Sequence, residues 1–159
     1  MKQALSQAMS RSHRVLVVDD VELNRLLLGG MVRSIGYEVE TAGNGLEVLA
    51  KLPGGIDLVL LDVMMPGIDG FEVTRRIRAD ATFQDLPVIM VTALDSREDR
   101  ARSVAAGASD FIAKPVDRSE LQVRLALHLR LKDAQDDLRR CRAELAALRG
   151  EPAGVRTDG

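Results

Sequence analysis

Four apolar residues in a row, Leu58-Val59-Leu60-Leu61, run directly into Asp62, then into Val63-Met64-Met65 and a Pro66-Gly67 turn. An apolar run this short, closed by Pro and Gly, reads as a strand buried on both faces. Such a strand needs neighbours on either side and covering layers above and below, which confines the chain to a layered sheet. It also puts Asp62 at the carboxyl end of a central strand, where open α/β sheets build their sites. A lone aspartate there is more often a turn residue or a helix cap, so its meaning rests on what else converges on it.

Similar runs recur along the chain. Residues 14–18, 37–41, 87–91 and 109–113 read as four further strands. Between them lie helical patterns. Over residues 22–35, Leu23, Leu27 and Met31 and then Leu28, Val32 and Ile35 recur at helical spacing. A turn at Gly43-Asn44-Gly45 opens a helix through Leu52, stopped by Pro53-Gly54-Gly55. Others cover residues 70–78 and 96–106, the latter with Asp95 or Ser96 as cap and Gly107 as terminator. Gly29-Gly30 falls inside the first helix at a cost of roughly 1 kcal/mol per glycine relative to alanine; close packing on the sheet is the expected reason. Strands alternating with helices five times predict an α/β fold, a doubly wound five-stranded parallel sheet covered on both faces.

The last helix is longer than a sheet of this size requires. Residues 118–149 contain no Pro or Gly and extend about 48 Å at 1.5 Å per residue. Leu127, Leu131, Ala134, Leu138, Cys141, Leu145 and Leu148 alternate steps of four and three. That is an a/d seam over three heptads, flanked by Asp136, Arg139, Arg142 and Glu144. It predicts a homodimer through the C-terminal helix; the competing reading is an amphipathic helix folded back on its own domain. The expected organisation is a flexible leader at 1–12, one domain at 13–131, a coiled-coil extension at 132–149 and a disordered tail at 150–159.

Composition narrows the function. Of 159 residues, 3% are aromatic and none is Trp, and the net charge is −2. Neither base stacking nor a broad phosphate-binding surface is expected, so no direct nucleic-acid partner is predicted. One cysteine excludes an internal disulfide framework and suits a reducing cytoplasm. No apolar run approaches the roughly 18 residues of a membrane span, and the leader lacks a signal-peptide core. His13 and His128 carry no catalytic expectation. Cys141 fits the seam as a small apolar residue.

The strand ends carry the chemistry. Asp19 and Asp20 follow the first strand, Asp62 the third, Thr92 the fourth and Lys114 the fifth. In a parallel doubly wound sheet these ends share one edge. Three carboxylates brought together raise one another's pKa unless a cation neutralises them. Oxygen donors without His or Cys favour a hard ion, and Mg²⁺ is the natural candidate. Carboxylate, divalent cation, ammonium and hydroxyl together describe a site for a phosphoryl group with one carboxylate as acceptor.

Val17-Val18-Asp19-Asp20, the stretch from Leu61 to Gly70, Val91-Thr92-Ala93 and Ala113-Lys114-Pro115 resemble the receiver domains of two-component response regulators, in order and spacing across about residues 13–131. The resemblance implies a flavodoxin-like sheet of order 2-1-3-4-5 with Asp62 as phosphoacceptor. It implies Mg²⁺ held by Asp19, Asp20, Asp62 and the backbone carbonyl of Met64, with Thr92 and Lys114 binding the phosphoryl oxygens. A cis Lys114–Pro115 bond and a switch formed by Thr92 and Phe111 complete the set. A phenylalanine at 111 lacks the hydroxyl a tyrosine would offer, and apolar Met64 and Leu94 flank the phosphoryl position. The implied partner is a histidine kinase or phosphotransfer protein. A phosphate hydrolase of the haloacid-dehalogenase type also uses Asp, Thr, Lys and Mg²⁺, but places its nucleophile in an Asp-x-Asp after the first strand. The remaining alternatives are an unphosphorylated dimerisation adaptor, or the regulatory front of a longer protein with a cyclase, phosphodiesterase or phosphatase output.

Overall fold

The computed structural model describes residues 12–150; the expected leader (1–12) and tail (150–159) lie outside the described residues but for Ser12 and Gly150. The elements are β1 (Arg14–Val18), α1 (Glu22–Ile35), β2 (Glu38–Ala42) and α2 (Gly45–Lys51), which runs on into a 3₁₀ turn (Leu52–Gly54). Then come β3 (Leu58–Leu61), α3 (Gly70–Ala79), β4 (Val88–Thr92), α4 (Arg97–Ala106), β5 (Asp110–Ala113) and α5 (Arg118–Leu148). All strand pairs are parallel, in the order β2-β1-β3-β4-β5. The expected architecture is the observed one, with boundaries shifted by a residue. Tyr37 still belongs to the end of α1, its amide donating to the Val32 carbonyl (3.4 Å), so β2 begins at Glu38.

Alternation along the buried strands sorts the core into two layers. Leu16, Val18, Val59, Leu61, Val88 and Met90 face α2, α3 and α4, where Val48, Phe71 and Ile77 meet them. Val15, Val17, Leu58, Leu60, Ile89 and Ile112 face α1 and α5, against Val32, Leu121, Leu125 and Leu129. Each Leu or Ile fully buried this way contributes roughly 1.5–3 kcal/mol. The α1 pattern splits. Leu28, Met31, Val32 and Ile35 face the sheet, whereas Leu23, Leu26 and Leu27 are each more than 60% exposed. Gly29 sits over β2, where an added Cβ would lie 3.4 Å from Val39; Gly30 meets nothing, and packing does not explain it.

α5 presents two opposed faces. Leu121, Leu125, His128 and Leu129 are buried against the domain. About one and three turns later the same side is held at the foot of the sheet by ion pairs. Lys132 lies 3.6 Å from Asp57 and 2.7 Å from Asp136, and Arg139 pairs with Asp85. Asp133 Oδ2 accepts from His13 Nε2 at 2.9 Å, so His13 is tied into the domain. The heptad residues point the other way: Leu127, Leu131, Leu138, Leu145 and Leu148 are all at least half exposed, and Ala134 and Cys141 are exposed too. The apolar stripe of this helix is therefore not folded back on its own domain.

Candidate functional site

The parallel strands deliver their polar ends to one edge. Asp19 leaves β1 with its Oδ1 accepting from the Val21 amide (2.9 Å), which fixes the carboxylate at the start of α1. Asp62 leaves β3 with its amide donating to the Val18 carbonyl (3.0 Å) and its Oδ1 accepting from the Met64 amide (3.3 Å). Lys114 leaves β5, its amide bonded to the Thr92 carbonyl (2.9 Å), and the Lys114–Pro115 bond is cis. Its Nζ then donates to Asp19 Oδ2 (2.8 Å) and to Asp62 Oδ2 (3.2 Å). One ammonium thus bridges two carboxylates. One oxygen from each of Asp19, Asp20 and Asp62 lies within 4.8 Å of the others.

Asp19 and Asp62 are buried, while Asp20 is exposed at the mouth. Burial is the largest influence on Asp62 and, with the neighbouring Asp19 charge, raises its carboxyl above the usual range against the pull of Lys114. Burial also raises Asp19, but the Lys114 and Val21 hydrogen bonds outweigh it and hold that carboxyl low. Lys114 is likewise disfavoured by burial, yet the two carboxylates raise its pKa overall. The cluster keeps a surplus of negative charge, with oxygen donors alone and an open side. That donor set fits a hard divalent cation.

The remaining expected residues divide. Thr92 is buried at the end of β4, and its Oγ1 accepts from the Leu94 amide (3.3 Å) rather than joining the Lys114 network. Phe111 is half-buried against the core, with the Arg100 guanidinium 5.5 Å from its ring centre. Met64 is 64% exposed beside the cluster, its amide already engaged by Asp62. His13 and His128 are remote, at the opposite edge, where His128 lies 2.8 Å from Asp110.

Three contributions escaped the sequence reading. Asn24 stands beside Asp19 and helps to hold its carboxyl low, and Arg25 donates to the Asp19 carbonyl (2.6 Å). Both stand one turn after the paired aspartates, a spacing that could have exposed them. Gly70 is the third: a Cβ there would sit 2.5 Å from the Asp62 carbonyl oxygen and 2.8 Å from Val63 Cα. Only glycine lets the start of α3 press against the backbone that carries Asp62. Beside the cluster, Asn24, Leu27, Leu28, Val91, Pro115 and Val116 line a groove of about 180 Å³ that reaches Asp19 and Lys114.

Comparisons with known proteins agree with this geometry. The family model described as the response regulator receiver domain matches residues 15–126. Response regulator PleD of Caulobacter vibrioides is 43% identical over 152 residues, covering 93% of this chain and 33% of its own length. Response regulator MprA of Mycobacterium ulcerans is 41% identical over 127 residues, 79% of this chain and 54% of that protein. The chain thus spans between a third and about half of these relatives. Among solved structures, the receiver domain of a Pseudomonas aeruginosa sensor histidine kinase, with magnesium coordinated in its active-site cleft, aligns with a TM-score of 0.69 and 32% identity. That alignment covers 75% of this chain and 98% of the other. Vibrio cholerae chemotaxis protein CheY4 aligns equally well, at 0.69 and 33% identity over 73% of this chain and 98% of that one. The chain belongs to the response regulator receiver domain family.

Proposed function

We propose that Asp62 accepts a phosphoryl group from a phosphohistidine on a histidine kinase or phosphotransfer protein, and that the modified domain changes shape to control an output. The observation that carries this is the Lys114 ammonium bridging Asp19 and Asp62 within a cluster of three carboxylates. Asp19, Asp20, Asp62 and the Met64 carbonyl hold Mg²⁺ in this reading. When bound, the ion neutralises charge on the transferring phosphoryl group and lets the carboxylates coexist with it. An Asp62 oxygen forms the new P–O bond as the P–N bond to histidine breaks, and the imidazole leaves with the bonding pair. Lys114 stays beside Asp62 and pairs with a phosphoryl oxygen. The donor protein docks over the apolar groove beside the cluster, which Leu27 lines, and over the exposed Leu23 on the same helix.

The phosphoryl group adds about −1.5 to −2 charges and three acceptor oxygens. The Thr92 hydroxyl, whose oxygen now accepts from the Leu94 amide, gains a strong acceptor for its proton and turns to it. Its turn frees the loop before α4 and lets Phe111 move inward, reshaping the surface of α4, β5 and α5. The chain carries no further catalytic activity in this reading and acts in the cytoplasm. It pairs as a homodimer through Leu127, Leu131, Ala134, Leu138, Cys141, Leu145 and Leu148. An enzymatic output belongs to the longer protein of which this chain would be the regulatory front.

The test is direct. Incubation with Mg²⁺ and an acyl phosphate should add one phosphoryl group to the parent chain by intact mass, and none after chelation or in Asp62→Asn. Labelling of Asp62→Asn as strong as the parent's would refute the assignment.

A further inference from the structure

We infer that the outward stripe of α5 pairs with the same stripe of a second copy of this chain, parallel and in register. This rests on the proposed homodimer and adds its orientation, its limits and the charges that select it. In the heptad frame Leu131, Leu138 and Leu145 take a positions, and Leu127, Ala134, Cys141 and Leu148 take d positions. The flanking g positions are then Arg130, Asp137 and Glu144, and the e positions His128, Gln135, Arg142 and Arg149.

In a parallel pair each g residue meets the next e residue of the other helix. Asp137 then faces the partner's Arg142, and Glu144 faces the partner's Arg149. Both contacts join opposite charges, and two-fold symmetry makes each of them twice. An antiparallel pair sets g against g and e against e. With the two seams fully overlapped, Asp137 would then oppose Asp137 and Arg142 would oppose Arg142, Arg149 would meet neutral Gln135, and the pairing of opposite charges left is that of Glu144 with Arg130. Within one chain these charges have no comparable use. Asp137 lies 3.5 Å from Arg140 in an exposed pair, and none of the other three has an ion pair among the described residues.

The limits of the interface are also set by this structure. One heptad before Leu131, the a position is Arg124, whose Nη1 is spent on Asp110 at 2.9 and 2.8 Å. His128, the first e residue, is buried against the same carboxylate. The seam therefore begins at Leu127. The face opposite it is held to the domain by Lys132 and Arg139, so the domain body lies away from the seam and leaves it open for the partner helix.

The experiment uses the full chain and places single cysteines along the seam. In a Cys141→Ala background, Leu131→Cys and Leu148→Cys report two positions 17 residues apart, about 26 Å along the helix. Diamide takes two electrons and two protons from each thiol pair that it joins. The parallel in-register dimer predicts that Leu131→Cys, Leu148→Cys and native Cys141 each form a disulfide-linked dimer. An antiparallel pair can bring only one of these positions opposite itself. A chain that sediments as a dimer but cross-links at no more than one site overturns the orientation and leaves the homodimer standing. A chain that sediments as a monomer at every concentration overturns both. Reversing one charge, Glu144→Arg, should weaken the dimer roughly tenfold, and adding Arg149→Glu should restore it. Unchanged affinity in both variants would remove the charge selection.

Discussion

The two edges of the sheet carry the same side-chain types to opposite effect. At the carboxyl edge Asp19, Asp20 and Asp62 share a single ammonium, Lys114. At the amino edge the acids are matched with bases: Asp57 and Asp136 with Lys132, Asp85 with Arg139, and Asp110 with Arg124 and His128. Matched pairs lock α5 to the domain and leave little unspent charge. The carboxyl edge keeps a buried surplus, and a surplus is what an incoming cation or phosphoryl group can exploit. Abundance of charge does not mark a functional edge in this fold; imbalance does.

Three substitutions can break or sharpen that contrast. The largest effect belongs to Lys114→Met, which leaves Asp19 and Asp62 buried side by side. We expect a loss of about 3 kcal/mol at neutral pH in urea unfolding. The Asp62 carboxyl is already raised, so its neutral form suits the fold, and its ionisation costs stability as pH rises through the folded value. The deficit of Lys114→Met should therefore shrink as pH falls from neutral toward the usual carboxylate range. A deficit independent of pH would mean that Lys114 acts by packing alone.

Asp110→Asn comes next, at about 1–2 kcal/mol. Burial works against the Asp110 carboxylate, but hydrogen bonds from His128, the Phe111 amide and Arg124 hold its pKa below the ordinary 3.8. Stability from such a group is present above the unfolded pKa and lost as pH falls through the folded one. Parent and variant should converge in acid, and curves that stay parallel to the lowest pH would contradict this. Arg139→Ala is the smallest. Both partners of its ion pair are about half exposed, so unfolding should shift by less than about 0.5 kcal/mol. If it matched Asp110→Asn, the foot of the sheet would be more than a set of matched surface charges.

Much of this molecule was legible from the chain because its signals were local. Apolar runs closed by Gly or Pro gave the strands within a residue, and Asp19, Asp20, Asp62 and Lys114 followed from where those runs end. Ser96 caps α4 as expected, with Asp99 completing a capping box. What stayed hidden depends on contacts between distant segments. Arg78 is one example: it donates to the Gly107 carbonyl (2.8 Å), the Leu86 carbonyl (2.6 Å) and Ser109 Oγ (3.1 Å), stitching the loops before β4 and β5 to α3. Nothing in its neighbourhood of charged helix residues announces that role. The outward turn of Leu23 and Leu27 was hidden likewise, since periodicity shows a stripe without saying which way it faces. Arg124 and His128 stand four apart on α5 and could have been read as one face aimed at β5.

The uninterrupted course of α5 has a mechanical consequence. It is a lever whose held arm runs from Leu121 to Arg139, through the core and then along the ion pairs at the foot of the sheet, and whose free arm runs from Arg140 to Leu148. That free arm measures about 12 Å. A tilt of about 10° of the held arm would carry Leu148 sideways by about 2 Å relative to Arg140. A repacking around Phe111 too small to disturb the sheet is thereby magnified at the far tip, where two such levers would slide or splay against each other.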